Sequence, residues 1–232
     1  MRHLARLVLP LLVLLLCACA SNTGPSPADN AASKHFLGAE FGKMTPVAGA
    51  QNRFSWRSPQ FNPKDYSAVL IDPTVIWQID AIAKDTGVSK DELQAVAKHI
   101  DAEFKSAMQS IDFPIKDTAA PRTMRISAAI TQVKASNPTR NTLTSVLPVG
   151  ILMTLGRKAA GSADPNVGSC SIEIRFSDAV TGQTLGLFAD HKDGDKYDSA
   201  NFHALGQAEK AGLTWAEMLR DSALRIWGAR AQ

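Results

Sequence analysis

The stretch that decides the fold is Tyr66-Ser-Ala-Val-Leu-Ile-Asp-Pro-Thr-Val-Ile-Trp77. Three consecutive apolar residues, 69 to 71, are typical of a β-strand that is covered on both faces. Pro73 has no N–H to donate to a neighbouring strand, so we expect the strand to end there, to bulge, or to lie at an edge. Asp72 is predicted to be a turn residue that binds backbone amides, and a buried catalytic carboxylate is the weaker alternative.

One amphipathic helix is predicted before the remaining strands in the sequence, and a second one after them. Ser89-Lys-Asp-Glu92 has the form of a capping box, which marks a helix N-terminus. Apolar residues then recur at three- and four-residue spacing up to Ile111, and the helix is expected to end before Pro114. Thr214-Trp-Ala-Glu217 is a second capping box and predicts a terminal helix, with one or two preceding helical turns within residues 200–212.

Two segments of alternating polarity, 124–133 and 171–177, predict further strands. Asp178-Ala-Val-Thr-Gly182 predicts a hairpin loop, and residues 184–189 form the return strand. A strand–helix–strand connection is right-handed, which places the first two long strands parallel. The predicted fold class is therefore α+β: a small mixed β-sheet of about four strands, with two amphipathic helices on one face, preceded by an extended arm.

The first 18 residues have the layout of a secretory signal peptide. Two arginines precede an apolar run, Leu7–Leu16, that is too short to span a bilayer. Leu16-Cys17-Ala18-Cys19 then resembles the lipobox of bacterial lipoproteins, and this resemblance implies lipid attachment at Cys19. Two or more acyl chains hold a protein firmly at a membrane. Because Ala20 rather than Asp follows, the resemblance implies the outer membrane, with the periplasm-facing domain held by its lipid. A free periplasmic protein is the alternative.

The chain downstream of the signal peptide divides by composition into three parts. Residues 19–33 are polar and contain proline, which is typical of a flexible tether. Residues 34–62 are irregular but too apolar for a disordered linker, so we expect an extended arm whose aromatic residues pack on the domain. Residues 63–232 are predicted to form the α+β domain itself.

Charge and cysteine content restrict the possible partners. Removal of the signal peptide lowers the formal charge from +3 to +1, and the chain has no sustained Lys/Arg run, so nucleic acid is not an expected partner. Cys17 leaves with the signal peptide and Cys19 carries lipid, so Cys170 has no partner for an internal disulfide. We predict that it is a small buried residue, with an intermolecular disulfide as the alternative.

The sequence contains none of the common catalytic motifs. It has no Gly-x-Ser-x-Gly, His-Glu-x-x-His, Gly-x-Gly-x-x-Gly or phosphate-binding loop. Four histidines follow the signal peptide: His35, His99, His191 and His203. The last two flank the acidic residues at 193–198 and are the best acid–base or metal candidates, but their spacing matches no known motif. No catalytic residue, metal site or cofactor is therefore predicted.

An apolar, small-residue-rich segment covers residues 142–156. The preferred interpretation is a helix or hairpin folded into the core. The alternative is an exposed element that contacts a partner chain or the lipid surface, because large exposed apolar patches usually mark contacts. The candidate contact residues are Leu147, Ile151, Leu152 and Met153.

Several motifs together resemble a known family. They are Met44-x-Pro46-x-x-Gly49, Arg53-Phe-x-Trp56, the strand that begins at Tyr66, and Ser171-Ile-Glu-Ile-Arg-Phe-Ser-Asp-Ala-Val-Thr-Gly182. This pattern resembles the bacterial lipoproteins grouped as DUF3313, over nearly all of the mature chain. The resemblance implies no established activity and no catalytic residues.

The function predicted from the sequence is a non-enzymatic binding or assembly module, anchored in the outer membrane. Its partners would be the membrane, through the lipid, and an unidentified envelope protein or a second copy of the chain. An oligomeric pore or scaffold subunit that uses residues 142–156 is one alternative. An unrecognised hydrolase is the other, because acid–base pairs can be assembled from distant positions.

Overall fold

The computed structural model describes residues 34–135, 168–194 and 204–228, and in these ranges the chain forms one mixed sheet and three α-helices. The strands are β1 Thr45–Pro46, β2 Arg53–Arg57, β3 Ala68–Ile71, β4 Val75–Ile76, β5 Thr123–Lys134, β6 Ser169–Asp178 and β7 Thr184–Asp193. The helices are α1 Ile79–Thr86, α2 Lys90–Gln109 and α3 Gly206–Trp227. Within these ranges, no helix combines the length and the apolar content that crossing a bilayer requires.

The sheet has the strand order β1-β2-β7-β6-β5-β3, and β4 also pairs with β5. Strands β3 and β4 run parallel to β5, whereas all other neighbours are antiparallel. The predicted parallel pairing of the first two long strands is confirmed, with Val69 opposite Met124. The intervening helices α1 and α2 form the crossover that parallel strands require.

The predicted number of about four strands is wrong, because the described part of the sheet has seven. Residues 34–62 contribute β1 and β2 to this sheet, rather than only the predicted extended arm. Strand β2 pairs with β7 along its whole length, from Arg53 opposite Asp190 to Arg57 opposite Gly186. The stretch 66–77 is divided into β3 and β4 at Pro73, which has no N–H for a ladder.

Helix α2 is the element that the sequence pattern predicts best. The Ser89 hydroxyl accepts the Glu92 N–H at 3.2 Å, and the Glu92 carboxylate accepts the Ser89 N–H at 3.0 Å, so the capping box is confirmed. The apolar stripe is buried as predicted, including Phe104 with no solvent exposure. The sequence predicts two helices; the short additional helix α1 begins at Ile79.

The second predicted capping box is wrong. Helix α3 begins at Gly206 and passes through Thr214, whose hydroxyl donates to the Lys210 carbonyl at 3.1 Å. The helix begins earlier because the preceding turns pack closely on α2. A Cβ on Gly212 would lie only 2.7 Å from Ile100 Cγ1, so the two helices approach through the absent side chain.

The β6–β7 hairpin has the turn that the sequence predicts. Gly182 has a φ of +74°, in the left-handed region that favours glycine. The Asp178 carboxylate accepts the backbone N–H groups of Val180 and Thr181 at 3.0 and 2.7 Å. Burial alone would raise the pKa of Asp178, but these bonds, and the hydroxyls of Thr181 and Tyr66, lower it. The turn is therefore stabilised by a carboxylate that remains ionised.

The two faces of the sheet pack against different parts of the chain. Alternate residues of β5 and β6, such as Ile126, Ile130, Ile172 and Ile174, pack with α2 and α3 in the main hydrophobic core. The intervening residues point to the opposite face, because successive side chains in a strand alternate. Residues 34–43, which we call the N-terminal segment, contact this second face.

Candidate functional site

A buried carboxylate attaches the N-terminal segment to the second face of the sheet. Glu173 lies in the middle of β6, between two core isoleucines, and is only 1% exposed. Its Oε1 is 2.7 Å from His35 Nδ1, and its Oε2 accepts the Leu37 N–H at 2.9 Å. Both oxygens are therefore bound by groups more than 130 residues away in the sequence.

An ion pair further along β6 extends this attachment. Arg175 lies two residues further along β6, and its Nε donates to Glu40 Oε2 at 3.1 Å. Burial would raise the pKa of Glu40, but hydrogen bonds from Lys43 and Thr184 and the charge of Arg175 lower it. Glu40 therefore stays ionised. The segment is bound through the Leu37 N–H, just before the helical turn Gly38–Lys43, and through Glu40 within that turn.

Aromatic rings shield the buried pair. The His35 ring stacks on Phe41 with centroids 3.8 Å apart, and Phe41 contacts Phe54 of β2 at 6.4 Å. Phe36 meets the edge of Trp77 at 5.8 Å. The aromatic residues of the predicted arm therefore pack on the sheet, and they do so next to its polar attachment point.

A different buried carboxylate connects helix α3 to two neighbouring strands of the sheet. The Asp190 side chain on β7 is 1% exposed and accepts the indole N–H of Trp215 at 2.9 Å. Arg53 of β2 donates to it at 3.3 Å, and Lys192 Nζ lies 3.7 Å away. One carboxylate thus joins β2, β7 and α3.

His191, predicted as an acid–base or metal candidate, lies between a serine and an aspartate. The Ser171 hydroxyl is 2.7 Å from His191 Nδ1, and His191 Nε2 is 3.0 Å from Asp193 Oδ1. The hydrogen bond from His191 lowers the pKa of Asp193, although burial opposes the shift. Strand register alone brings these groups together, because Ser171 is opposite His191.

This Ser–His–Asp alignment is poorly placed for nucleophilic catalysis. Ser171 is only 2% exposed, and its hydroxyl also bonds Gln132 at 3.3 Å, so a substrate carbonyl has no approach through the described residues. A serine nucleophile also needs donors for the developing oxyanion, whereas residues 169–177 bond their neighbours along two strand ladders. The alignment positions an imidazole between strands. In the described ranges, no group of three or more His, Cys, Asp or Glu residues could hold a metal.

Of the remaining residues that the sequence analysis singled out, Asp72 and Cys170 have structural roles, and the others lie outside the described ranges. The Asp72 carboxylate binds Ser127 Oγ at 2.6 Å and Arg125 Nε at 3.0 Å, and so joins the end of β3 to β5. Cys170 is fully buried, as predicted, and burial raises the pKa of its thiol to about 12, so its environment is that of a small core residue. The following lie outside the described residues: Cys19, the segment 142–156 with Leu147, Ile151, Leu152 and Met153, and His203.

An apolar cleft of about 220 Å³ lies between α3 and the helix-covered face of the sheet. Its sheet side includes Ile174, Phe176 and Phe188, and its helix side includes Met218 and Ile226. We refer to this space as the apolar cleft. Its lining is mostly apolar, as in sites that bind small ligands, and its volume is below the range of about 300–1,000 Å³ that is typical of ligand pockets.

The apolar cleft crosses the strands rather than following them. Its lining extends from Arg57 on β2 to Val69 on β3. These strands are separated by β7, β6 and β5, so the lining runs across five strands of the sheet. A volume of about 220 Å³ shared among residues of five strands describes a narrow slot. Sequence reasoning missed this cleft because it assigned the apolar stripe of α3 to the core.

The fold and cleft define a class: a mixed α+β sheet, covered by helices on one face and by its own N-terminal segment on the other. Residues 33–219 match the family model described as "Protein of unknown function (DUF3313)". The chain belongs to the DUF3313 family, and the predicted resemblance is confirmed.

Comparison with solved structures finds distant similarities. The PelC dodecamer from Paraburkholderia phytofirmans is 7% identical, with a TM-score of 0.40, over 72% of this chain and 96% of that chain. A minor lipoprotein from Acinetobacter baumannii is 6% identical, with a TM-score of 0.32, over 71% of this chain and 95% of that chain. No curated protein matches the sequence. At these TM-scores the similarities carry no functional argument.

Proposed function

We propose that this protein is a membrane-anchored, non-enzymatic binding module of the bacterial cell envelope, and that the apolar cleft is its binding site. The observation that carries the proposal is the cleft itself, a slot lined by apolar side chains of the sheet and α3. Ligand sites are mostly apolar and contain few polar groups. The cleft has this composition, whereas the polar alignment around His191 is closed to substrate at Ser171.

The anchor in this proposal is a lipid on Cys19, which holds the domain at the periplasmic face of the outer membrane. The N-terminal segment is attached to the sheet from His35 onward. The 16 Cα–Cα steps from Cys19 to His35 span at most about 55 Å when fully extended. A domain attached in this way stays close to the membrane and meets apolar molecules that leave it.

The oligomeric pore or scaffold alternative depends on residues 142–156. These residues lie outside the described ranges. No contact among the described residues favours that alternative, so the binding module remains the proposal.

Replacement of Cys19 by serine is expected to move the protein from the membrane fraction to the soluble fraction, because the acyl chains would have no thiol to modify. The measurement is fractionation followed by mass determination of the N-terminal peptide. Cys17→Ser is the matched control, since Cys17 leaves with the signal peptide, and it should remain in the membrane. Retention of the Cys19→Ser protein in the membrane would refute the anchor.

Replacement of Ser222 by tryptophan is expected to weaken binding of a neutral apolar probe at least tenfold. Ser222 lines the apolar cleft on α3, and an indole ring at this position would occupy the slot. The measurement is the fluorescence titration of N-phenyl-1-naphthylamine with the full chain carrying Cys19→Ser. Ser106→Trp, on an exposed position of α2, is the control. Equal probe affinity in both variants would show that the probe does not enter the cleft.

A further inference from the structure

One arginine differs from the others in the described ranges. Six of the seven arginines there donate a hydrogen bond to an acceptor within the described protein. They are Arg53, Arg122, Arg125, Arg175, Arg220 and Arg225. Arg57 has no carboxylate or carbonyl partner in this part of the chain, and its guanidinium lies over the Phe61 ring at 4.8 Å.

Arg57 is also the charged residue that lines the apolar cleft. It is the last residue of β2 and is exposed, so its guanidinium borders the slot where solvent reaches it. The other lining residues in the described ranges are apolar, apart from two serines. The ring of Phe61 holds the planar guanidinium by a cation–π contact and leaves its N–H edges available.

This arrangement has the chemistry of an anionic amphiphile site. A guanidinium binds a carboxylate with two parallel, charge-assisted hydrogen bonds. The apolar lining, which runs across the sheet from β2 to β3 beneath α3, offers a hydrocarbon chain apolar contacts. We infer that the apolar cleft binds one medium-chain fatty carboxylate, with its tail between α3 and the sheet and its head group on Arg57. This inference rests on the proposed function and specifies the ligand of the same cleft.

Two properties of the bound molecule follow from the geometry. The head group should affect the affinity only through its charge, because Arg57 is the charged residue in the lining of the cleft. The tail should matter through its length, since each buried methylene changes affinity roughly fourfold. Octanoate is therefore expected to bind at least tenfold more weakly than dodecanoate.

The experiment measures displacement of N-phenyl-1-naphthylamine by dodecanoate and by the uncharged 1-dodecanol. The protein is the full chain carrying Cys19→Ser, with and without Arg57→Gln. We expect Arg57→Gln to lower the affinity for dodecanoate at least tenfold and to change the affinity for 1-dodecanol less than twofold. Only the charged head group of dodecanoate loses its partner. Lys98→Gln, at an exposed position on α2, is the matched control and should change neither of the two affinities.

The outcomes separate this inference from the proposed function. If the Arg57→Gln variant and the protein that keeps Arg57 bind dodecanoate equally well, the inferred carboxylate site at Arg57 is overturned. Binding of the probe alone would still support a binding module. If the probe binds but dodecanoate does not displace it, the ligand class is wrong. If neither the probe nor either ligand binds, the proposed function fails as well. Circular dichroism of Arg57→Gln verifies that this exposed substitution leaves the fold intact.

Discussion

Replacement of Glu173 by alanine is expected to lower the free energy of unfolding by about 3–5 kcal/mol, since loss of one partner of a buried polar pair leaves the other without compensation. In this protein, two donors would lose their acceptor: His35 Nδ1 and the Leu37 N–H. Each unsatisfied buried group costs about 1–3 kcal/mol. The measurement is urea denaturation followed by tryptophan fluorescence.

The matched control for Glu173 is an exposed glutamate. Glu217→Ala on α3 should change stability by less than about 0.5 kcal/mol, because surface substitutions usually have small effects. Glu173→Gln should be intermediate, since its amide oxygen still accepts one hydrogen bond. Trypsin cleavage after Lys43 should also accelerate in Glu173→Ala if the N-terminal segment detaches. Unchanged stability would show that the segment is not attached through Glu173.

Asp190→Ala is expected to have the second-largest effect, a loss of about 3 kcal/mol, because it leaves a buried indole N–H and a partly buried guanidinium unpaired. These groups belong to Trp215 and Arg53, which donate to Asp190 at 2.9 and 3.3 Å. The stability loss should appear together with a change in near-ultraviolet circular dichroism, since Trp215 is packed in the core. Asp221→Ala on the exposed face of α3 is the control.

A double-mutant cycle isolates the bond between Asp190 and Trp215. Trp215→Phe removes the indole N–H but keeps an aromatic ring in the core. In a protein that already carries Trp215→Phe, Asp190→Ala should cost about 1 kcal/mol less than in the original protein, within the range of coupling between contacting residues. Additive effects of the two substitutions would contradict a direct hydrogen bond.

The elements that the sequence predicted correctly have local signals. Helix α2 has a reciprocal cap at Ser89 and Glu92 and a stripe at helical spacing. The β6–β7 hairpin has alternating polarity and a turn between Asp178 and Gly182. Each signal is contained within a few residues, so no knowledge of the rest of the chain was needed.

The elements that were missed depend on distant partners. Strand β2 has no regular pattern in the sequence, and it is a strand because Arg53–Arg57 satisfy the backbone of β7, more than 125 residues away. Thr214 has the sequence of a helix start, yet it lies inside α3 because packing of Gly212 on Ile100 extends the helix. In both cases tertiary burial overrides a local preference, which is worth only fractions of a kcal/mol per residue.

The sequence by itself determined the α+β class, the parallel pairing of β3 with β5, helix α2, the β6–β7 hairpin and the family. Periodicity and short motifs encode these features locally. The tertiary structure alone decided which polar residues are buried. Glu173 alternates with isoleucines and resembles a solvent-facing residue, but the N-terminal segment covers it with His35 and Leu37. The apolar cleft likewise exists only where α3 meets several strands of the sheet. A cavity is a property of distances between elements, and no single stretch of sequence contains them.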